Sequence, residues 1–147
     1  MEDISLHILD IVENSIRAKA SIIEVIVEEK PEEDILSVTV RDNGKGMERF
    51  DARRVLDPFY TTKPEKRIGL GISLFAQAAR ESGGRLSVKS SPGQGTEVSA
   101  IFGLTHPDRK PLGNIEETIS LLKAAHPEIM FRYTYRKAEG SYEIKTR

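Results

Sequence analysis

The sequence predicts an α/β fold: a two-layer sandwich with a mixed, mostly antiparallel sheet covered by helices. Two observations predict it. Three stretches, 3–18, 70–82 and 114–125, repeat apolar residues with the period of a helix. Between them, β-branched runs come in pairs separated by short polar turns, as with Ile22–Glu28 and Ile35–Arg41 around Lys30-Pro31-Glu32-Glu33-Asp34. A chain of 147 residues is long enough for one domain with a real core.

In the first helix, Ile4, Ile8, Ile11, Val12 and Ile16 form the apolar stripe, and Asp3 is placed to cap the start. Asp10, Asn14 and Arg17 fall at i, i+4 and i+7 and therefore share one face. The run Ile35-Leu36-Ser37-Val38-Thr39-Val40 ends in Arg41-Asp42-Asn43-Gly44-Lys45-Gly46-Met47. A strand ending in this way turns sharply at its glycines, leaving the Asp42 carboxylate at a strand end where backbone can approach a ligand closely. A short helical or irregular segment, 48–56, leads to Asp57-Pro58-Phe59-Tyr60-Thr61-Thr62-Lys63-Pro64. Its prolines forbid regular structure, so Thr61, Thr62 and Lys63 are loop groups able to reach a ligand.

Gly69-Leu70-Gly71 opens the next helix, where unpaired N–H groups beside the positive end of the dipole make an anion site. Gly83-Gly84 ends that helix as a C-cap. Arg85–Ser90 and Thr96–Phe102 are strands around the turn Ser91-Pro92-Gly93-Gln94-Gly95. The composition shifts at Gly103, which divides the chain into a domain, 1–103, and an extension, 104–147. In the extension a linker precedes a helix opened by Asn114 and Glu117, a capping-box pair, and a hairpin over 128–136 and 141–145 follows. The apolar stripe of that helix calls for burial on the same domain.

A net charge of −1 with scattered basic residues gives no nucleic-acid footprint. The absence of cysteine excludes disulfides, zinc-thiolate sites and thiol nucleophiles. No apolar run reaches membrane-spanning length and no signal-peptide pattern opens the chain, so the expectation is a cytoplasmic protein away from membranes.

Four signals occur in order: an Asn on an amphipathic helix, Asp-x-Gly-x-Gly after a strand, a Phe-Tyr-Thr-Thr-Lys-Pro loop, and Gly-Leu-Gly opening a helix. Together they resemble the GHKL ATPase superfamily of gyrase, heat-shock chaperones, histidine kinases and MutL. Asp10 to Ser15 resembles the N box in its MutL-like form, and Asp42 to Met47 the G1 box. Pro58 to Pro64 resembles the F box and lid start of histidine kinases, Gly69 to Ile72 the G2 box, and Gly93-Gln94-Gly95-Thr96 the last turn of the motif set. The resemblance covers about residues 2 to 103 and implies the Bergerat ATP-binding fold, with ATP and Mg²⁺ as cofactors.

It also implies roles. Asp42 accepts the exocyclic amine of adenine, whereas guanine sets an acceptor oxygen against it. Thr96 supports the same edge, directly or through water, with Gly44, Gly46 and Met47 shaping the base site. The Asn14 amide oxygen suits Mg²⁺, which keeps waters and bridges phosphates. Gly69, Leu70 and Gly71 receive phosphate charge, with Thr62 and Tyr60 in the lid; Lys63 meets the terminal phosphate, and Arg17 neutralises phosphate as well.

Five departures from the family pattern bear on activity. Arg67 stands where the first glycine of the G2 run is expected, and the lid, 61–68, is short. No strand precedes the N-box helix, so the C-terminal hairpin is left to complete the layer. The three histidines lack a phosphoacceptor context. Asp10 stands where related ATPases and serine kinases carry Glu as general base, a reach shorter by roughly 1.5 Å that can cost about a hundredfold in rate. The implied function is a stand-alone ATP-binding regulator acting on an unknown protein partner, with anti-sigma-like serine kinase or slow ATPase activity. The alternative is a non-catalytic ATP sensor.

Overall fold

The computed structural model of the chain describes residues 3–47, 67–137 and 140–146, of which 67–70 and 140–146 are described as backbone alone. The elements run α1 (Ile4–Arg17), β1 (Ile22–Lys30), β2 (Ile35–Asp42), α2 (Arg67–Glu81), β3 (Arg85–Ser91), β4 (Gly95–Gly103), α3 (Ile115–Ala125), β5 (Met130–Lys137) and β6 (Gly140–Thr146). The six strands form one sheet in the order β3-β4-β2-β1-β5-β6. Every neighbouring pair is antiparallel except β1 with β5. This is the mixed, mostly antiparallel sheet that the paired runs predict.

Strand alternation sorts the side chains. Ile23, Val25 and Val27, Leu36, Val38 and Val40, and Val98, Ala100 and Phe102 are buried in one core with the helix residues Ile4, Ile8, Ile11, Val12, Ile72, Phe75, Ile115 and Ile119. On the opposite face Glu24, Arg41 and Glu97 are cross-strand neighbours. Arg41 Nη1 contacts Glu24 Oε1 at 2.9 Å, and Arg41 Nε donates to Glu97 Oε1 at 2.9 Å. The Glu97 hydrogen bond foremost raises the Arg41 pKa.

The helix ends follow their caps. Asp3 accepts from the Leu6 amide, while the Ile4 and Ser5 amides donate to the carbonyls of Pro111 and Leu112. The linker thus satisfies the first N–H groups of α1. At the far end of α2 the Gly84 and Gly83 amides bond the Ala79 and Arg80 carbonyls, the double closure of a Schellman turn. Asn114 accepts from the Glu117 amide at 3.0 Å and starts α3.

The C-terminal segment enters the sheet. β5 runs parallel to β1, with Ile22 opposite Met130 and Glu28 opposite Arg136. Phe131, Tyr133 and Tyr135 point into the core with the inner face of β1. α1 is the first described element, and the position beside β1 is filled from the other end of the chain. His7 lies buried on α1 and stacks on Phe75, with ring centroids 5.3 Å apart, which is a packing role.

Candidate functional site

The site lies where α1, the end of β2 and the β3–β4 hairpin converge. β2 carries Asp42 to its last position, and Thr96 is its direct partner on β4. Thr96 is in turn partnered by Ser90 on β3. Ser90, Thr96 and Asp42 therefore form one row on the inner face, where opposed Cβ atoms stand about 5 Å apart. α1 lies over the row: Ser15, 3% exposed, donates from Oγ to Asp42 Oδ2 at 2.6 Å. Asp42 Oδ1 accepts the Gly44 amide at 2.8 Å. Both carboxylate oxygens are thus oriented by donors from separate elements.

The turn after Asp42 is fixed on three sides. Asn43 Oδ1 accepts the Ser21 and Ile22 amides, each at 2.9 Å, and ties the turn to the start of β1. The Lys45 amide donates to Ala18 at the end of α1, and the Lys45 carbonyl accepts from Gly93 in the β3–β4 turn. The Met47 amide donates to Ser90 Oγ at 2.7 Å. The two glycines have different reasons. A Cβ on Gly44 would stand 2.8 Å from the Ala18 carbonyl oxygen, so close approach to α1 requires its absence. Gly46 has φ +74° and a Cβ there would collide with the Ser91 carbonyl, so both backbone angle and space demand glycine.

Above Asp42 and Thr96 opens a small pocket walled by Ile11, Val40, Met47, Ile72 and Val98. An apolar slot with a carboxylate and hydroxyls at one end suits a flat heteroaromatic ring that carries a donor on one edge. On the neighbouring face of α1, Asn14 Oδ1 accepts from Arg17 Nη1 at 3.1 Å. α2 comes close at this point: a Cβ on Gly71 would lie 3.5 Å from Asp10 Cβ and 3.9 Å from Asn14 Nδ2. The fold therefore brings Asp10 and Asn14 beside Gly71, with Arg17 bonded to Asn14, and Asn14 also lines the Asp42 pocket.

α2 starts at Arg67, two residues earlier than Gly69-Leu70-Gly71 predicts. Gly69 and Leu70 fall within its first turn, whose N–H groups lack intrahelical partners, and Gly71 follows them at the contact with α1. Tyr60, Thr62 and Lys63, with the rest of the Phe-Tyr-Thr-Thr-Lys-Pro loop, lie outside the described residues.

The sequence motifs single out no role for Ser15, Ser90 or Asn43, which the structure places at the site. For the two serines a signal was present. Ser15 extends the stripe Ile4, Ile8, Ile11, and Ser90 follows Leu86 and Val88 at alternate positions of β3. A polar residue at a core-facing position needs a partner, and each has one at the site.

Among the described residues no group of three or more His, Cys, Asp or Glu is placed to hold a metal, and no helix is long and apolar enough to cross a membrane. An ion with a single protein amide oxygen fits only as one that draws its other ligands from water and phosphate, which is the habit of Mg²⁺. The Asn14 amide oxygen, which accepts from Arg17 at 3.1 Å, is of the kind such an ion takes.

Comparison with known proteins agrees with this geometry. Sensor protein kinase FleS of Pseudomonas aeruginosa is 36% identical over 110 residues, 75% of this chain and 27% of that protein. Sporulation kinase E of Bacillus subtilis is 35% identical over 86 residues, 58% of this chain and 11% of that protein. A putative sensor protein of Shewanella frigidimarina is 29% identical over 57% of this chain and 13% of its own length, so the chain spans only a minor part of these relatives. The MutL ATPase domain of Aquifex aeolicus, solved with ADP, superposes over 100% of this chain and 64% of its own with a TM-score of 0.58 at 18% identity, a likeness of fold. The family described as histidine kinase-, DNA gyrase B- and HSP90-like ATPase matches residues 2–106, and the chain belongs to it.

Proposed function

We propose that the chain binds ATP with Mg²⁺ and acts as a regulatory kinase or slow ATPase toward a protein partner. The observation that carries the reading is the Asp42 carboxylate, held by Ser15 and Gly44 at the polar end of an apolar slot with Thr96 beside it. The adenine ring fills the slot and its amine donates to Asp42. Arg17 and the first turn of α2, with Gly69 and Leu70, receive the phosphates, Gly71 follows where the helix meets α1, and Lys63 meets the terminal phosphate. Asn14 holds Mg²⁺, which when bound offsets phosphate charge.

Asp10 lies one turn from Asn14 and beside Gly71, so its carboxylate orients or deprotonates the attacking group, water or a protein hydroxyl. The family membership and the sensor-kinase relatives support nucleotide use. The short reach of Asp10 favours a second reading, a domain that senses ATP without turning it over. Incubating the protein with γ-labelled ATP, alone and with the proteins encoded beside its gene, separates the two. Label on a partner or released phosphate, lost in Asp10→Asn while ATP binding persists, supports the catalytic reading. Turnover unchanged in Asp10→Asn sinks the base assignment, and binding without turnover supports the sensor.

A further inference from the structure

Two serines decide where the hydroxyl protons beside Asp42 point. Ser90 Oγ has three partners: the Met47 amide at 2.7 Å, Thr96 Oγ1 at 2.7 Å and the Gly95 carbonyl at 3.1 Å. The amide can only donate and the carbonyl can only accept. Ser90 has a single proton, so all three contacts are hydrogen bonds in one arrangement alone. Ser90 donates to Gly95, and Thr96 donates to Ser90. Thr96 then presents only lone pairs to the pocket. Ser15 is arranged likewise: its proton goes to Asp42 Oδ2 at 2.6 Å in preference to the Ile11 carbonyl at 3.4 Å, because the charge-assisted contact is the stronger.

We infer that Ser90, which does not itself line the base pocket, is a specificity-determining positioning residue. By accepting the Thr96 proton it makes Asp42, Ser15 and Thr96 an edge of acceptors. The inference rests on the adenine site proposed above. A 6-amino purine brings both amine protons to such an edge, with its N1 lone pair left to a bridging water. A 6-oxo purine can offer its N1–H to Asp42 only by setting O6 against the lone pairs of Ser15 and Thr96. Without the Ser90 hydroxyl, Thr96 is free to turn its proton inward and satisfy O6.

The test is calorimetric binding of ATP and of inosine triphosphate, the 6-oxo analogue, to the full chain. The wild type prefers ATP by about 100-fold, and Ser90→Ala narrows that preference about tenfold, the scale of one hydrogen bond. Ser90→Thr keeps the hydroxyl and holds the wild-type ratio. Adding Thr96→Val to Ser90→Ala abolishes the gain for inosine triphosphate, because the donor is gone. A wild-type ratio in Ser90→Ala, a gain that survives Thr96→Val, or equal narrowing by Ser90→Thr overturns the inference while the adenine site stands. Equal affinity of the wild type for both nucleotides removes the adenine site, and the inference with it. If Ser90→Ala does not fold by circular dichroism, Ser90→Cys, whose thiol is a weak acceptor, is read in the same way.

Discussion

Asp42→Asn tests the base site with little damage to the fold, and the structure shows why. The carboxylate accepts the Gly44 amide at 2.8 Å and the Ser15 hydroxyl at 2.6 Å. Asparagine keeps one acceptor and gains a donor group. The Gly44 amide cannot reverse, so the asparagine oxygen stays on Gly44 and its nitrogen faces Ser15. Ser15 adapts by sending its proton to the Ile11 carbonyl, 3.4 Å away, and accepting from the new amide. Two charge-assisted bonds become neutral ones, a loss of about 1–2 kcal/mol in total, which lowers Tm by about 3–8 °C. Binding suffers more. The adenine amine loses a charged acceptor and meets a donor, together about 3 kcal/mol or more, or roughly 140-fold in Kd. Calorimetry with ATP and GTP, beside thermal denaturation, reads both effects. A folded Asp42→Asn that binds ATP within about threefold of the wild type, or a wild type that binds ATP and GTP alike, refutes the reasoning.

Asn14→Ala should lose both nucleotide affinity and turnover, whereas Asp10→Asn should lose turnover alone; a titration of Mg²⁺-ATP with paired rate measurements distinguishes them. Gly46→Ala combines a φ of +74° with a collision at the Ser91 carbonyl, and should cost more than about 2 kcal/mol in urea denaturation. Phe75→Ala removes a fully buried ring between His7 and Phe102 and should destabilise by about 3–5 kcal/mol. Arg41→Ala should change stability by less than about 1 kcal/mol, because its ion pairs are half exposed on the open sheet face. Amides of β5 should exchange as slowly as those of β1, since that strand is paired on both sides; fast exchange throughout 104–147 would contradict its place in the sheet.

Local chemistry was legible in the sequence because it is written in short-range patterns. The stripes of α1 and α3, the caps at Asp3 and Asn114, the β1–β2 hairpin and the turn after Asp42 each rest on residues within a few positions of one another. So does the column Asp10, Asn14, Arg17, whose alignment is helix arithmetic, and the contact between Asn14 and Arg17 follows from it. What only the tertiary structure decided are pairings across long stretches of chain. β5 sits parallel to β1, a match that no local signal encodes because a strand pattern names a face and not a neighbour. The row Ser90, Thr96, Asp42 depends on the register of three strands, and Ser15 reaches Asp42 across 27 residues. The sequence marked Asp42 as the carboxylate at a strand end. The packing of α1 on the sheet supplied the hydroxyl that orients it, because a half-buried carboxylate needs donors and the local Gly44 amide meets only one of its two oxygens.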